Sequence, residues 1–123
     1  MDLYPVLNYH KMSPMASPEE KPLFTISVAA EILGVHPRTL MLYEKAGIIS
    51  PFRTSTNRRR FSRNDLRHLF FIKYLTQEKN INLSGVKILL EAFREARKHQ
   101  INLKSALFPN FKEEELLKEA FSR

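Results

Sequence analysis

The sequence predicts a mainly α-helical fold: a winged helix-turn-helix with a small two-stranded wing, followed by C-terminal helices used for dimerisation. Three observations carry that reading. Two short helical patterns meet at Gly34-Val35-His36-Pro37. An arginine-loaded stretch, from Arg53 to Ser62, follows them. The net charge of +7 is concentrated on the same region, because residues 23–80 hold ten basic and four acidic side chains. Residues 1–22 hold two and three, and residues 81–123 hold eight and six. A cationic excess gathered on one motif is what a polyanion-binding surface requires.

Composition narrows the alternatives. A chain of 123 residues with 43% hydrophobic content can build one modest core. The absence of cysteine excludes a disulfide framework, a thiolate metal site and a thiol nucleophile. There is no basic-then-apolar leader, and no apolar run nears the roughly 18 residues of a membrane span. The expectation is therefore a cytoplasmic protein without a membrane partner. Three segments are expected: a flexible N-terminal arm at 1–22, the winged helix-turn-helix at 23–80, and a C-terminal helical dimerisation or partner region at 81–123.

The arm reading rests on four of the seven prolines, at positions 5, 14, 18 and 22, and on the lack of apolar periodicity. Leu23 to Ile26 reads as an extended lead-in. Ser27 is expected to cap the first helix, with Val28, Ile32 and Leu33 as its apolar face and Gly34 as its left-handed stop. Pro37 suits the first position of the second helix, since it has no amide hydrogen to leave unpaired. His36, preceding a proline, belongs to the turn.

The second helix is expected from Pro37 to about Ala46, with Gly47 ending it. At about 100° per residue, Leu40, Tyr43 and Glu44 share one side while Arg38, Met41, Leu42 and Lys45 share the other. With Leu40 inward, the second set faces out. Cations beside aliphatic groups suit a DNA major groove, where they meet phosphates or guanine and thymine methyls.

Ser55, Thr56 and Asn57 supply turn chemistry for a hairpin, asparagine being tolerant of positive φ. Its arginines, Arg53, Arg58, Arg59 and Arg60, carry forks that match phosphate oxygens, and at least two should lie beside the second helix. Phe61 should turn inward. Ser62 and Asp65 have capping-box spacing and open a long helix, Arg63 to about Lys79, that reads as the spine of the core. Asn80 to Ser84 interrupts the pattern. A helix from Ser84 to about His99 follows, with Val86, Leu89, Leu90, Phe93 and Ala96 on one side. Residues 100–110 read as irregular or a short turn. Asn110 to Glu113 resembles another helix start, leading into an apolar stripe of Leu116, Leu117, Ala120 and Phe121. These C-terminal stripes are candidates for burial between subunits, so deleting residues 101–123 is expected to loosen dimerisation or partner response and leave the fold of residues 24–80 intact.

In order and spacing, Ser27-Val28-Ala29, Gly34-Val35, Thr39-Leu40, Tyr43-Glu44, Gly47-Ile48-Ile49-Ser50-Pro51, Arg53-Thr54, Arg59-Arg60-Phe61-Ser62 and Asp65-Leu66 resemble the MerR-superfamily pattern. His36-Pro37 and Asn82-Leu83-Ser84-Gly85-Val86 resemble its heat-shock repressor branch, HspR. The resemblance implies a homodimeric winged helix that binds an inverted-repeat operator in double-stranded DNA and represses chaperone genes in a bacterial, nucleoid-associated setting. It also implies a chaperone co-regulator and no cofactor. Carried over by position, Tyr43 and Arg53 would contact phosphates, the helix 38–45 would enter the major groove, and Arg59 and Arg60 would hold the wing to the backbone. The candidate DNA-binding set is Arg38, Thr39, Met41, Leu42, Tyr43, Lys45, Arg53, Arg58, Arg59 and Arg60.

Two other DNA-binding readings share residues 25–62: an architectural, excisionase-like DNA-bending protein, and a MerR-type activator. Without cysteine, and with little chain beyond residue 100 for an effector domain, the activator is the less favoured. An enzyme is disfavoured because there is no Gly-rich phosphate loop, no His pair at metal spacing and no paired carboxylates in an apolar setting. The histidines, at 10, 36, 68 and 99, are far apart. Glu113, Glu114 and Glu115 suit the positive end of a helix dipole rather than a catalytic or metal site.

Overall fold

A computed structural model describes residues 17–122 of the chain. The element order is α1 (Ile26–Leu33), α2 (Pro37–Lys45), β1 (Phe52–Arg53), β2 (Arg59–Arg60), α3 (Arg63–Lys73), α4 (Leu83–Lys98), α5 (Leu103–Leu107) and α6 (Glu113–Phe121). A 3-10 turn at Pro18–Glu20 precedes α1, and a π-helical turn at Tyr74–Glu78 extends α3.

The helix-turn-helix is closed at both of its turns by the same backbone device. Gly34 (φ 70°) follows α1, and the Val35 N–H returns 3.0 Å to the Ala30 carbonyl. Gly47 (φ 77°) follows α2, and the Ile48 N–H returns 3.0 Å to the Tyr43 carbonyl. Each uses the left-handed conformation that glycine adopts without a Cβ penalty. Lys73 adds a cation at the end of α1, its Nζ donating to the Leu33 carbonyl at 2.7 Å. Pro37 starts α2 as expected, and His36 goes beyond its turn role: its Nδ1 accepts the Arg38 N–H at 3.0 Å and caps the helix.

Two expectations for α1 are corrected. Its cap is Thr25, whose hydroxyl accepts the Val28 N–H at 3.2 Å, and not Ser27, which lies inside the helix and is exposed. The buried face is Ala29, Ala30 and Leu33, while Val28 is exposed and Ile32 half-buried. The contact surface of α1 thus runs over two small side chains and Leu33.

The spine reading of α3 holds. Ser62 and Asp65 form the reciprocal box, with the Asp65 N–H on Ser62 Oγ at 3.0 Å and the Ser62 N–H on Asp65 Oδ2 at 2.8 Å. Leu66, Leu69, Phe70, Phe71 and Ile72 are buried, Phe61 is buried at its foot, and Leu75 continues the core into the π turn. Asn80 (φ 56°) breaks the helix and Asn82 caps α4 through the Gly85 N–H at 2.8 Å. From α4, Val86, Leu90 and Phe93 pack inward.

The C-terminal segment departs most from expectation. Residues 100–110 contain a helical turn, α5, capped by Asn102. Asn110 caps nothing; α6 begins at Glu113 after Lys112, with no side-chain cap. This segment folds back onto its own domain. Phe111 lies 5.2 Å from Phe71 and 4.8 Å from Tyr74, ring centroid to centroid, and Phe108 lies 5.6 Å from Phe71. Leu117 is buried in the common core, and Phe121 packs on Phe24 at 5.5 Å beneath the Arg63 guanidinium. The apolar stripe expected between subunits is thus partly consumed within one chain, because the faces of α1 and α3 need a cover.

The arm assigned to 1–22 falls largely outside the described residues, including the docking candidates Tyr4, Val6, Leu7 and Tyr9. Its described end is ordered against α3. Arg67 pairs with Glu19 at 2.7 Å and with Glu114 of α6, and so joins both ends of the described chain to one helix.

Candidate nucleic-acid interface

The two sides of α2 separate as its periodicity requires. Leu40 and Tyr43 are buried, whereas Arg38, Met41, Leu42 and Lys45 are exposed. Met41 and Leu42 are 40% and 50% exposed, and no element of the described chain covers them. Thr39 is half-buried at the rim. This face therefore has the chemistry of a groove-reading helix, with cations at both ends and aliphatic groups between.

Tyr43 is corrected. It is 4% exposed and its hydroxyl lies 3.4 Å from Thr76 Oγ1, so it serves the core between α2 and the end of α3 instead of presenting itself to a phosphate. The helical projection, which placed it with Leu40, decides correctly here over the positional carry-over.

The wing forms as an antiparallel pair with Phe52 opposite Arg60 and Arg53 opposite Arg59. Its turn is shaped by Asn57 (φ 61°), whose N–H reaches the Thr54 carbonyl at 2.8 Å, and by Thr54 Oγ1, which accepts the Arg58 N–H at 3.1 Å. The base of the wing is tied to the lead-in strand. Phe24 and Phe61 exchange backbone bonds of 2.9 and 2.8 Å, so the expected extended segment before α1 extends the hairpin by one bridge.

The four wing arginines do not behave alike. Arg58 is exposed at the tip, and Arg60 is half-buried with Nη1 on the Arg59 carbonyl at 2.9 Å. Arg53 and Arg59 both turn toward α2 and share the carboxylate of Glu44. Arg53 Nη2 lies 3.0 Å from Oε2, and Arg59 Nε lies 2.6 Å from Oε1. Two guanidiniums beside the second helix were expected; the carboxylate that gathers them was not. A periodicity argument places Glu44 on the inward side but does not reveal partners nine and fifteen residues away. Arg58, Arg59 and Arg60 also line an open cavity of about 600 Å³ with Thr25, Ile26 and Ser27.

A family model described as "MerR HTH family regulatory protein" matches residues 24–92, which span α1 to α4 and the wing. The chain belongs to the MerR family of helix-turn-helix regulators. It is 40% identical over 81 residues to a Streptomyces coelicolor protein named for heat shock, HspR, a match covering 66% of this chain and 54% of that relative. It is 38% identical over 69 residues to the HTH-type transcriptional regulator GlnR of Bacillus anthracis and of Bacillus cereus, covering 56% of this chain and 53% of each relative. The chain thus spans about half the length of the curated relatives it matches. The matched segment ends within α4, so α5 and α6 lie beyond it. No described helix is long and apolar enough to cross a membrane. Among the described residues, no group of three or more His, Asp or Glu side chains is arranged to hold a metal ion.

Proposed function

We propose that this MerR-family protein is a sequence-specific transcriptional repressor of heat-shock (chaperone) genes that binds an inverted-repeat operator as a homodimer. The observation that carries the DNA-binding part is the exposed Arg38, Met41, Leu42 and Lys45 face of α2, flanked on one side by a wing with four arginines. Aliphatic side chains left open between cations are the chemistry that meets thymine methyls in a major groove. Support for the heat-shock assignment is the identity to HspR, together with the His36-Pro37 and Asn82 to Val86 segments. A chaperone co-regulator and a cytoplasmic, nucleoid-associated location belong to the same reading.

Homodimerisation draws its support from the C-terminal region. Although Leu117 is used internally, Ile88, Ile101 and Leu107 remain more than half exposed and are available to a second copy. The test is selection of bound fragments from genomic DNA followed by footprinting. Protection of one inverted repeat over a chaperone-gene promoter supports the repressor. Cooperative coating of unrelated sequences would instead favour the architectural, DNA-bending reading.

A further inference from the structure

The geometry points to Glu44 as the positioning residue of the interface, holding Arg53 and Arg59 as one two-pronged seat for the phosphodiester oxygens of a single DNA strand. The inference rests on the DNA-binding reading of α2 and the wing, and deepens it. Coulomb's law makes a carboxylate on a polyanion-binding face unfavourable unless it serves the cations around it. Glu44 lies at the seam between the exposed helix and the hairpin; Arg53 Nη2 bonds both of its oxygens, at 3.2 and 3.0 Å, and Arg59 Nε from the facing strand shares Oε1 at 2.6 Å. Those arginines are direct register partners across the hairpin, a like-charge pair that would otherwise push apart.

The bonds also leave the arginines competent to act. Arg59 is held through Nε, which leaves its two terminal nitrogens without a hydrogen bond to another described residue. Arg53 reaches Glu44 through Nη2 and the Asn57 carbonyl through Nη1 at 3.2 Å, so it connects α2 to the tip of the wing. One carboxylate against two guanidiniums leaves a net positive charge at the seat. The side chains are ordered before the strand arrives, which lowers the entropy lost when it binds. Glu44 therefore sets the position of the wing relative to the groove-reading helix, and with it the register in which bases are read.

The test compares Glu44→Ala and Glu44→Gln with the unaltered protein on two probes, a duplex selected from a random library by the unaltered protein and an unselected duplex of equal length. Affinity and its salt slope are measured for each, alongside thermal melting. Glu44→Ala should bind the selected duplex about tenfold more weakly, the loss expected for a charge-assisted contact network. Its affinity for the unselected duplex should stay level or rise, since a repelling charge has gone. Glu44→Gln keeps the length and one acceptor and should fall between the two; it carries the comparison alone if the alanine variant does not fold. Tighter binding to both duplexes would reduce Glu44 to an opposing charge and overturn the inference. Equal weakening on both, in step with a lowered melting temperature, would reduce it to a stabilising ion pair and overturn it equally. Salt-insensitive or absent binding by the unaltered protein would bring down the DNA-binding reading itself, and this inference with it.

Discussion

Leu117→Ala separates a C-terminal helix that belongs to its own domain from one that waits for a second subunit. Leu117 is 4% exposed within the core shared by α1, α3 and α6, whereas its neighbour Leu116 is 36% exposed. Truncation removes three carbons, about 2.4 kcal/mol at roughly 0.8 kcal/mol per buried methylene, and the incompletely collapsed cavity brings the loss to about 3 kcal/mol. For a domain of this size that corresponds to a fall in Tm of about 10 °C. Leu116→Ala should cost less than about 1 kcal/mol. Thermal melts followed by circular dichroism, at protein concentrations spanning a hundredfold range, provide the assay. If the packing is internal, the Leu117→Ala loss is the same at every concentration. A loss that disappears at high concentration, or equal losses for the two neighbours, would refute the assignment of α6 to the monomer core and restore the stripe to a subunit interface.

The remaining predictions address other elements. Ser62→Ala removes the fully buried cap of α3 and should cost about 1–2 kcal/mol in urea unfolding, with the m-value unchanged. Burial, with the charges of Lys104 and Arg67 adding to it, pushes His68 down to about 4. Because this depressed value lies below the ordinary 6.5, stability from neutral His68 is complete above about pH 6.5 and is lost as the pH falls toward 4. The loss should be about 2–3 kcal/mol after allowance for partial solvent contact, and His68→Leu should flatten that limb of the pH–stability curve. Arg58→Ala should weaken binding to all duplexes alike and reduce the slope of log K against log salt by about 1, read by titrations at several salt concentrations. Leu42→Ala should instead change the preferred base pairs by about 1–3 kcal/mol in competition binding against single-base variants of the selected duplex, leaving the salt slope unchanged.

What could be read without coordinates was what depends on neighbours in the chain. Gly34, Pro37 and Gly47 mark the ends of α1 and α2 because left-handed φ and a missing amide hydrogen are local requirements. The Ser62 and Asp65 box and the Asn57 turn follow for the same reason. The buried face of α1 was legible at Leu33 but not at Ala29 and Ala30, whose hydrophobic signals are weak beside that of the exposed Val28. An apolar stripe such as Leu116 to Phe121 says that something must cover it without saying what, and here the cover comes from Phe24, α1 and α3. The wing arginines were visible as charges, but their division into two held by Glu44 and two otherwise placed is a tertiary fact. At Tyr43 the helical period was the better guide, because the angular position of a side chain is set by the helix it belongs to.

Arg67 gives the molecule a practical asymmetry. One guanidinium holds Glu19 near the start of the described chain and Glu114 near its finish, so both extremities share a single cation of α3. Trimming the leading segment past Glu19 removes one of the two acidic partners of Arg67 and leaves Glu114, on a helix whose Phe121 rests on Phe24 at the root of the hairpin. Fluorophores and affinity handles intended to leave the hairpin undisturbed are therefore better kept off both extremities, and off the α4 face of Ile88, Glu91, Ala92 and Glu95 that a second copy would cover.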